Sequence, residues 1–358
     1  MHRSRVGFKG QPYDNFSFTF LGAYDFVGRD LLAGTVGGGN SGANPFIRLW
    51  LAKIEWQLDK NDVFNLTTGY FAPVVGRESN TPPTRVTSME KAWSQNYLRR
   101  HIVGSGPGRS PGVNIGGIVY NQESKFKLQY DVGIHSPQFI SFSGSSAGVT
   151  TTPMFAGKLT FDFGDPRSEG YSPSHKSNYF GKRNGATIAI GGTYQGETDL
   201  FTENTALGFE YGLHFGGINF DGEYHFLRRK GEGVILDPSL IEANGGVGFS
   251  RLSYNLPLKN GHIFVPYVLA VQFTGSESQL EKIQAEQLRA FSGTDNELSF
   301  GFEYNFNVDF KVTANLTLRD GEGAGNEEIG TNNNFFQQGG VGDFQRGNWL
   351  GLGMVIGL

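Results

Sequence analysis

Asp221 and Glu223 lie two residues apart, with Asn219 and His225 at the same alternate spacing, and a carboxylate pair on one face has the composition for acid/base chemistry. On a strand of period two the same four residues are the wetted face of an ordinary strand, and no catalytic constellation is completed around them. The histidines (His2, His101, His135, His175, His214, His225, His262) show neither HExxH nor another metal-ligand spacing, so they read as strand and loop residues. Gly37 to Gly42 (GGGNSG) lacks the Lys and the helix that complete a phosphate-binding loop. With no cysteine there is no disulfide and no thiolate metal site. The sequence therefore predicts no enzyme, no cofactor and no metal.

The other chemistry a protein wall can do is to select ions. From Ala72 to Ser110 the chain has no alternating hydrophobicity and carries six basic residues, Arg77, Arg85, Lys91, Arg99, Arg100 and Arg109, against the acidic Glu78 and Glu90. That stretch sums to +4; since the whole chain is −4, the remainder sums to −8. A long structureless connection is normally functional or disordered. Basic side chains gathered at a constriction favour anions, and the planar fork of Arg suits phosphate oxygens. These six residues are the expected selectivity set, with residues 72–110 as a constriction loop. The alternative is an external loop whose charges meet lipopolysaccharide phosphates.

Such a loop needs a pore around it. Phe (31), Tyr (14) and Gly (53) are abundant, yet mean hydropathy is −0.32, so apolar and polar residues must be segregated position by position. No run of eighteen apolar residues exists to form a membrane helix. Period-two alternation recurs instead, most cleanly over Phe126 to His135, where Phe126, Leu128, Tyr130, Val132 and Ile134 oppose Lys127, Gln129, Asp131, Gly133 and His135. It returns over Phe16–Phe26, Ile47–Leu58, Phe155–Phe163, Leu207–Phe215, Ile218–Phe226, Leu298–Phe306 and Phe310–Arg319. The polar faces supply Lys53, Lys127, Lys158, Lys311 and Arg319 as expected lumen lining, mixed with carboxylates.

A soluble sandwich also alternates, so other features decide. The strands run to about ten residues, the length of a tilted crossing of a hydrocarbon layer. Connections alternate between short (DKND, NQESK, LKNG) and long (28–46, 72–110, 136–153, 229–245, 320–346), as in outer-membrane barrels. Tyr24, Phe26, Trp50, Trp56 and Tyr70 sit near strand ends, as interfacial girdles do. The expectation is a single all-β domain over residues 1–358, a transmembrane antiparallel barrel. One connection, Gly164 to Arg183, is long on the short-turn side, and the sequence gives no account of it beyond an ordered excursion. Two helices are expected: Glu277 to Phe291, as a solvated surface helix, and a shorter one from about Ser88 to Arg99, entered through the capping box Thr87-Ser88-Met89-Glu90. Fifteen strands are visible, from Arg3–Lys9 to Gly347–Leu358, and bacterial barrels are normally even. The first feeds a short turn, so a sixteenth strand, with a signal peptide ahead of it, is expected to precede residue 1 in a longer precursor.

Around the basic loop the chain resembles the phosphate-selective porin O and P family. Gly69-Tyr70-Phe71-Ala72-Pro73 matches a "G-x-F-x-P" strand end, Ser88-Met89-Glu90-Lys91-Ala92 a "M-E-[RK]-[AS]" phrase, and Gly108-Arg109-Ser110-Pro111-Gly112 a "G-R-x-x-G" exit; Arg3 to Phe8 is similar to that family's second strand. The resemblance implies a sixteen-stranded homotrimer in the outer membrane of a Gram-negative-type bacterium. Its third outward loop would fold into the lumen and its partners would be outer-membrane lipid, lipopolysaccharide and small anions, phosphate among them, with no nucleic acid. A barrel serving as adhesin, receptor or scaffold, without selective transport, stays open as the second reading.

Overall fold

The computed structural model describes residues 3–25, 47–104, 107–122, 125–137, 150–232, 240–321, 335–338, 342–345 and 347–357. The glycine-rich stretch 37–42, Phe26 and Leu358 lie outside them. The chain runs β1 (Arg3–Tyr13), β2 (Phe16–Asp25), β3 (Arg48–Gln57), β4 (Asn65–Phe71), β5 (Ser110–Gln122), β6 (Phe126–His135), β7 (Met154–Gly164), β8 (Gly185–Gln195) and β9 (Glu203–Phe215). It continues through β10 (Ile218–Glu232), β11 (Leu240–Tyr254), β12 (Leu256–Pro257), β13 (Ile263–Thr274), β14 (Thr294–Asn305), β15 (Phe310–Asp320), β16 (Phe335–Gln338), β17 (Gly342–Gln345) and β18 (Trp349–Ile356).

All but β16 and β17, which form a separate hairpin, belong to one sixteen-stranded antiparallel sheet in which each long strand pairs with its neighbours in sequence. The short β12 continues β11 along β13 beyond a break at Asn255. The edges are β1 and β18, which run in the same direction and are not paired to each other.

The sheet is polar inside and apolar outside. Val132 (58 % exposed), Phe155, Leu207, Phe226 and Leu350 (80 %) face outward, while Gln129, Asp131, Thr160, Asp221 and Thr313 face inward and are buried. A water-soluble sheet buries the opposite set. An apolar outer face on a hydrogen-bonded antiparallel sheet is the arrangement that satisfies backbone groups in hydrocarbon, so this sheet spans a membrane. No helix among the described residues is long and apolar enough to cross one.

Period two located the strands closely: the expected Phe126–His135 is β6 to the residue, and β15 differs from the expected segment by one residue. The helices differ more. Residues 72–110 contain α1 (Arg77–Asn80), a 3-10 turn at Pro83–Arg85 and α2 (Ser94–Val103). Ser88 opens no helix; α2 begins six residues later, with Trp93 at its N-cap and no side-chain cap. Wall contacts override the local signal: the Met89 N–H donates to Tyr267 Oη (3.2 Å), the Ala92 N–H to Glu78 Oε1 (2.7 Å), and Ser88 Oγ bonds the Glu90 carbonyl. The later helix, α3 (Gln279–Gln287), is shorter than expected and has a capping box of its own, Ser278 with Glu281. It is not wholly solvated either, because Ala285 and Leu288 are buried against Phe201, Ile241 and Ala243.

Candidate pore and its constriction

The loop 72–110 leaves β4, turns into the lumen and crosses it. Val74, Val75, Arg77, Glu78, Ala92, Tyr97 and Leu98 are buried there, although every one belongs to a connection between strands. Two kinds of force hold it. In the half of the lumen nearer the long loops, α2 lays Tyr97, Leu98, Ile102 and Val103 on Met154, Ala206, Leu227, Val247 and Phe273 of the wall. Tyr97 stacks on Phe273 with ring centroids 4.0 Å apart, and its hydroxyl donates to Asp295 (2.7 Å). Burying such side chains contributes about 1.5–3 kcal/mol each. Gly104 ends α2 in the left-handed conformation.

Deeper in, charge takes over. Arg251 on β11 donates Nη1 to Glu78 Oε1 (3.3 Å) and Nη2 to Glu78 Oε2 (2.9 Å), and also reaches Asp221 on β10. Arg77 Nε donates to the same Asp221 (3.1 Å), giving a buried quartet of two arginines and two carboxylates. The neighbouring amides are used as well: Gly76 N–H donates to Glu210 (3.1 Å) and Glu78 N–H to Glu223 (3.3 Å). Glu210, Glu223 and His225 can each bring one ligand atom within 4.8 Å of the others, but Lys158 Nζ lies 3.1 Å from Glu210 and already supplies a cation there. The Asp221 and Glu223 pair of the sequence is thus an anchor for the loop.

The long connection between β7 and β8, residues 165–184, enters from the opposite mouth. Arg167 and Arg183 both pair with Asp162, Lys127 Nζ donates to the carbonyls of Ser168 (2.9 Å) and Gly170 (2.8 Å), and Tyr171 Oη donates to Asp131. It then meets the first loop. Thr87 N–H donates to Ser177 Oγ (2.6 Å), Ser177 N–H to Arg85 O (3.1 Å) and Arg77 Nη2 to Lys176 O (3.0 Å). His175 is fully buried at this junction, its Nδ1 3.2 Å from one Nη1 of Arg77 and one of Arg167. Both are donors, so Nδ1 accepts, while Nε2 lies between Lys158 Nζ at 3.1 Å and Glu210 Oε2 at 3.3 Å. Burial, then Lys158 and Arg167, hold this imidazole well below the ordinary histidine range, consistent with a neutral ring.

The basic residues expected in the constriction are therefore dispersed. Arg77 is buried in the quartet, and Lys91 Nζ donates to Glu78 O (2.7 Å). Arg99 folds onto Ser79, and Arg85 reaches the short-turn end to pair with Asp309 (3.0 Å). Arg100 is half-buried with its Nε unbonded, and burial lowers its pKa. Of the expected lumen set, Lys127 and Lys158 point inward but lie beneath the 165–184 connection. Lys311 pairs with Glu303 and bonds Val86 O, and Arg319 pairs with Asp295. Lys53 faces the cavity along β1 to β4, paired with Glu55 at 2.6 Å.

Among the described residues the wall left uncovered by these two loops is that of β1 to β4, where Ser17, Thr19, Lys53, Glu55 and Gln57 point inward and are half-exposed. Arg109 sits at this side. Its guanidinium carbon lies 3.9 Å from the centroid of the Trp50 ring, and Arg5 of β1 lies at the same distance. Trp50 was expected on the outer face as a girdle residue. A bulge corrects this: Leu21 pairs with Leu51 and Gly22 with Leu49, leaving Trp50 as the extra residue, which brings the indole to the arginines. Burial, with Arg99 and Arg5 beside it, holds Arg109 well below the usual guanidinium range, and its Nε makes no hydrogen bond. Gly108 permits the packing, since its φ is +65° and a Cβ there would fall 2.3 Å from Arg99 Cγ.

Sequence reasoning missed Glu78, Arg251, Trp50 and Tyr97 as site residues. One signal was available: in Tyr267 to Val271 both strand faces are apolar, which a water-filled lumen does not require but a docked helix does.

No family model matches the chain, and no curated protein sequence matches it. Solved structures do resemble it in fold. An anion-selective porin from Comamonas acidovorans aligns over 98 % of this chain and 84 % of its own, with TM-score 0.53 and 10 % identity. OprB of Pseudomonas putida aligns over 88 % and 82 %, with TM-score 0.53 and 10 % identity. Salmonella typhi OmpF aligns over 90 % and 84 %, with TM-score 0.51 and 12 % identity. At these identities the likeness shows the fold, an outer-membrane porin-type barrel.

Proposed function

We propose that the protein is an outer-membrane diffusion channel for small hydrophilic solutes that prefers anions. The observation that carries this reading is the Arg5–Trp50–Arg109 stack beside the uncovered wall, with Arg99 adjacent, so that among the described residues three arginines gather there. Positive groups crowded in a partly dehydrated passage raise local anion concentration and repel cations. The porin-type fold and the apolar outer face support the channel and its membrane. Phosphate as a preferred solute, and a homotrimeric assembly, rest on the motif resemblance at 69–73, 88–92 and 108–112.

Reversal potentials across a planar bilayer under a KCl gradient test it. The wild type is expected to favour chloride, Arg109→Ser to move the reversal potential toward the potassium value, and added phosphate to reduce the chloride current. A cation-preferring wild type overturns the reading. The interlocking of two loops across the lumen favours the scaffold alternative to one extent only: a wild type that inserts as a folded barrel and passes no current would assign it.

A further inference from the structure

We propose that the connection 165–184 is a second constriction, which sets the size limit of the channel at its short-turn end while leaving the sign of its selectivity to Arg109. The proposal rests on the channel reading above. A turn at that end needs only a few residues to join antiparallel neighbours, as Gly216 and Gly217 do between β9 and β10. Residues 165–184 exceed that need and form no helix or strand, yet they are held as firmly as a core. Lys127 bonds their carbonyls, Asp162 takes both Arg167 and Arg183, and Asn178 exchanges side-chain hydrogen bonds with Asn255 at 2.7 and 3.0 Å. A segment so bonded on the lumen side is a fixed obstruction.

Its tip, Tyr171 to Ser174, forms one side of a cavity of about 510 Å³ whose other side is the β1–β4 wall, including Lys9, Thr19, Lys53 and Glu55. The space is on the scale of a small-molecule site. Its chemistry differs from that around Arg109. Hydroxyl and amide groups dominate, and Lys53 is neutralised by Glu55 at 2.6 Å, so the cavity contributes width and hydrogen bonding more than field. Sign and size are thereby read at different places: Arg109 with Trp50 reads sign, and Tyr171 to Ser174 against the wall reads size. The solutes that fit are small, hydrated and polar.

The chain has no cysteine, so one introduced thiol reports on one position. In the full-length channel, Ser172→Cys is treated with a sulfonated methanethiosulfonate reagent, and Tyr171→Ala is measured beside it. Single-channel conductance, reversal potential and swelling of proteoliposomes with sugars of increasing size are the readouts. Labelling of Ser172→Cys is expected to remove most of the current, and Tyr171→Ala to raise conductance and admit a larger sugar with the reversal potential unchanged. A conducting channel whose current survives complete labelling at Ser172→Cys overturns the second constriction and leaves the channel reading intact. So does a Tyr171→Ala variant that shifts the reversal potential at constant size limit. A wild type that passes neither current nor sugar overturns the channel reading itself, and the second constriction with it.

Discussion

Glu78 of the lumen loop and Arg251 of the wall form a two-point ion pair, with Nη1 on Oε1 at 3.3 Å and Nη2 on Oε2 at 2.9 Å. Glu78 is one of the two acidic residues in a strongly basic loop, and with Arg77 it fixes that loop to the wall. Breaking a buried pair by removing one partner typically costs about 3–5 kcal/mol, because a charge is left uncompensated. We expect Glu78→Gln to release residues 72–110 without unfolding the sheet, seen as protease cleavage within the loop at urea concentrations that leave the barrel's gel mobility unchanged. Arg85→Ser is the control. Its pair with Asp309 is exposed (32 and 51 %), so the change is expected to cost no more than about 1 kcal/mol.

Leu98→Ala should act on the same loop by a different force. Leu98 is buried in a cluster with Val247 and Phe273, and truncating such a residue costs about 2–5 kcal/mol. Hydrogen exchange should speed up in α2 and at Gly104, with exchange in β9 and β10 unchanged. Acceleration spread evenly through the sheet would show that α2 and the wall unfold as one unit.

Acid should loosen the loop through His101. Its imidazole is buried at the end of α2 with Nε2 2.9 Å from Thr205 O, and burial with Arg229 nearby lowers its pKa to about 3. The folded value lies below the unfolded one, so stability is full above about pH 6.5 and is lost as pH falls toward 3, at up to about 1.4 kcal/mol per pH unit. His101→Gln should flatten that slope between pH 6 and pH 4 in loop-protection measurements. An unchanged slope would assign the acid sensitivity to other groups.

Helix α3 offers a smaller and more local test. Ser278 Oγ accepts from the Glu281 N–H at 3.3 Å, and Glu281 reaches back to the Ser278 N–H at 3.2 Å. Ser278→Ala is expected to cost about 0.5–2 kcal/mol, read as faster exchange in 279–287 alone. Conductance should not change.

Trp50→Leu separates stacking from charge. Losing the ring removes the surface that holds Arg5 and Arg109 at 3.9 Å but neither cation. We expect anion preference to persist while current fluctuations rise, since two mobile guanidinium groups replace a fixed pair. Loss of preference would mean that the geometry of the pair selects, beyond its charge.

The sheet was legible because lipid on one side and polar groups on the other impose period two on most strands, as Phe126 to His135 shows. The lumen was harder to read, since its structure is decided by pairings across more than a hundred residues, such as Gly76 with Glu210 or Glu78 with Arg251. Local signals there misled in both directions. The capping box at Thr87 to Glu90 met stronger partners on the wall, and a one-residue bulge carried Trp50 off the face its neighbours Ala52 and Ile54 define. Charge count drew attention to the six cations of 72–110 and passed over Glu78, whose buried carboxylate binds Arg251 on the wall.

The junction at His175 and Ser177 also constrains the order of folding. The two loops come from opposite mouths and bond to each other midway, so each settles only once the other has reached it. Contacts of such long sequence separation form slowly. The slowest step of assembly should then be the capture of 165–184 by 72–110, and a chain shortened in either loop should reach its folded sheet sooner than the full-length protein.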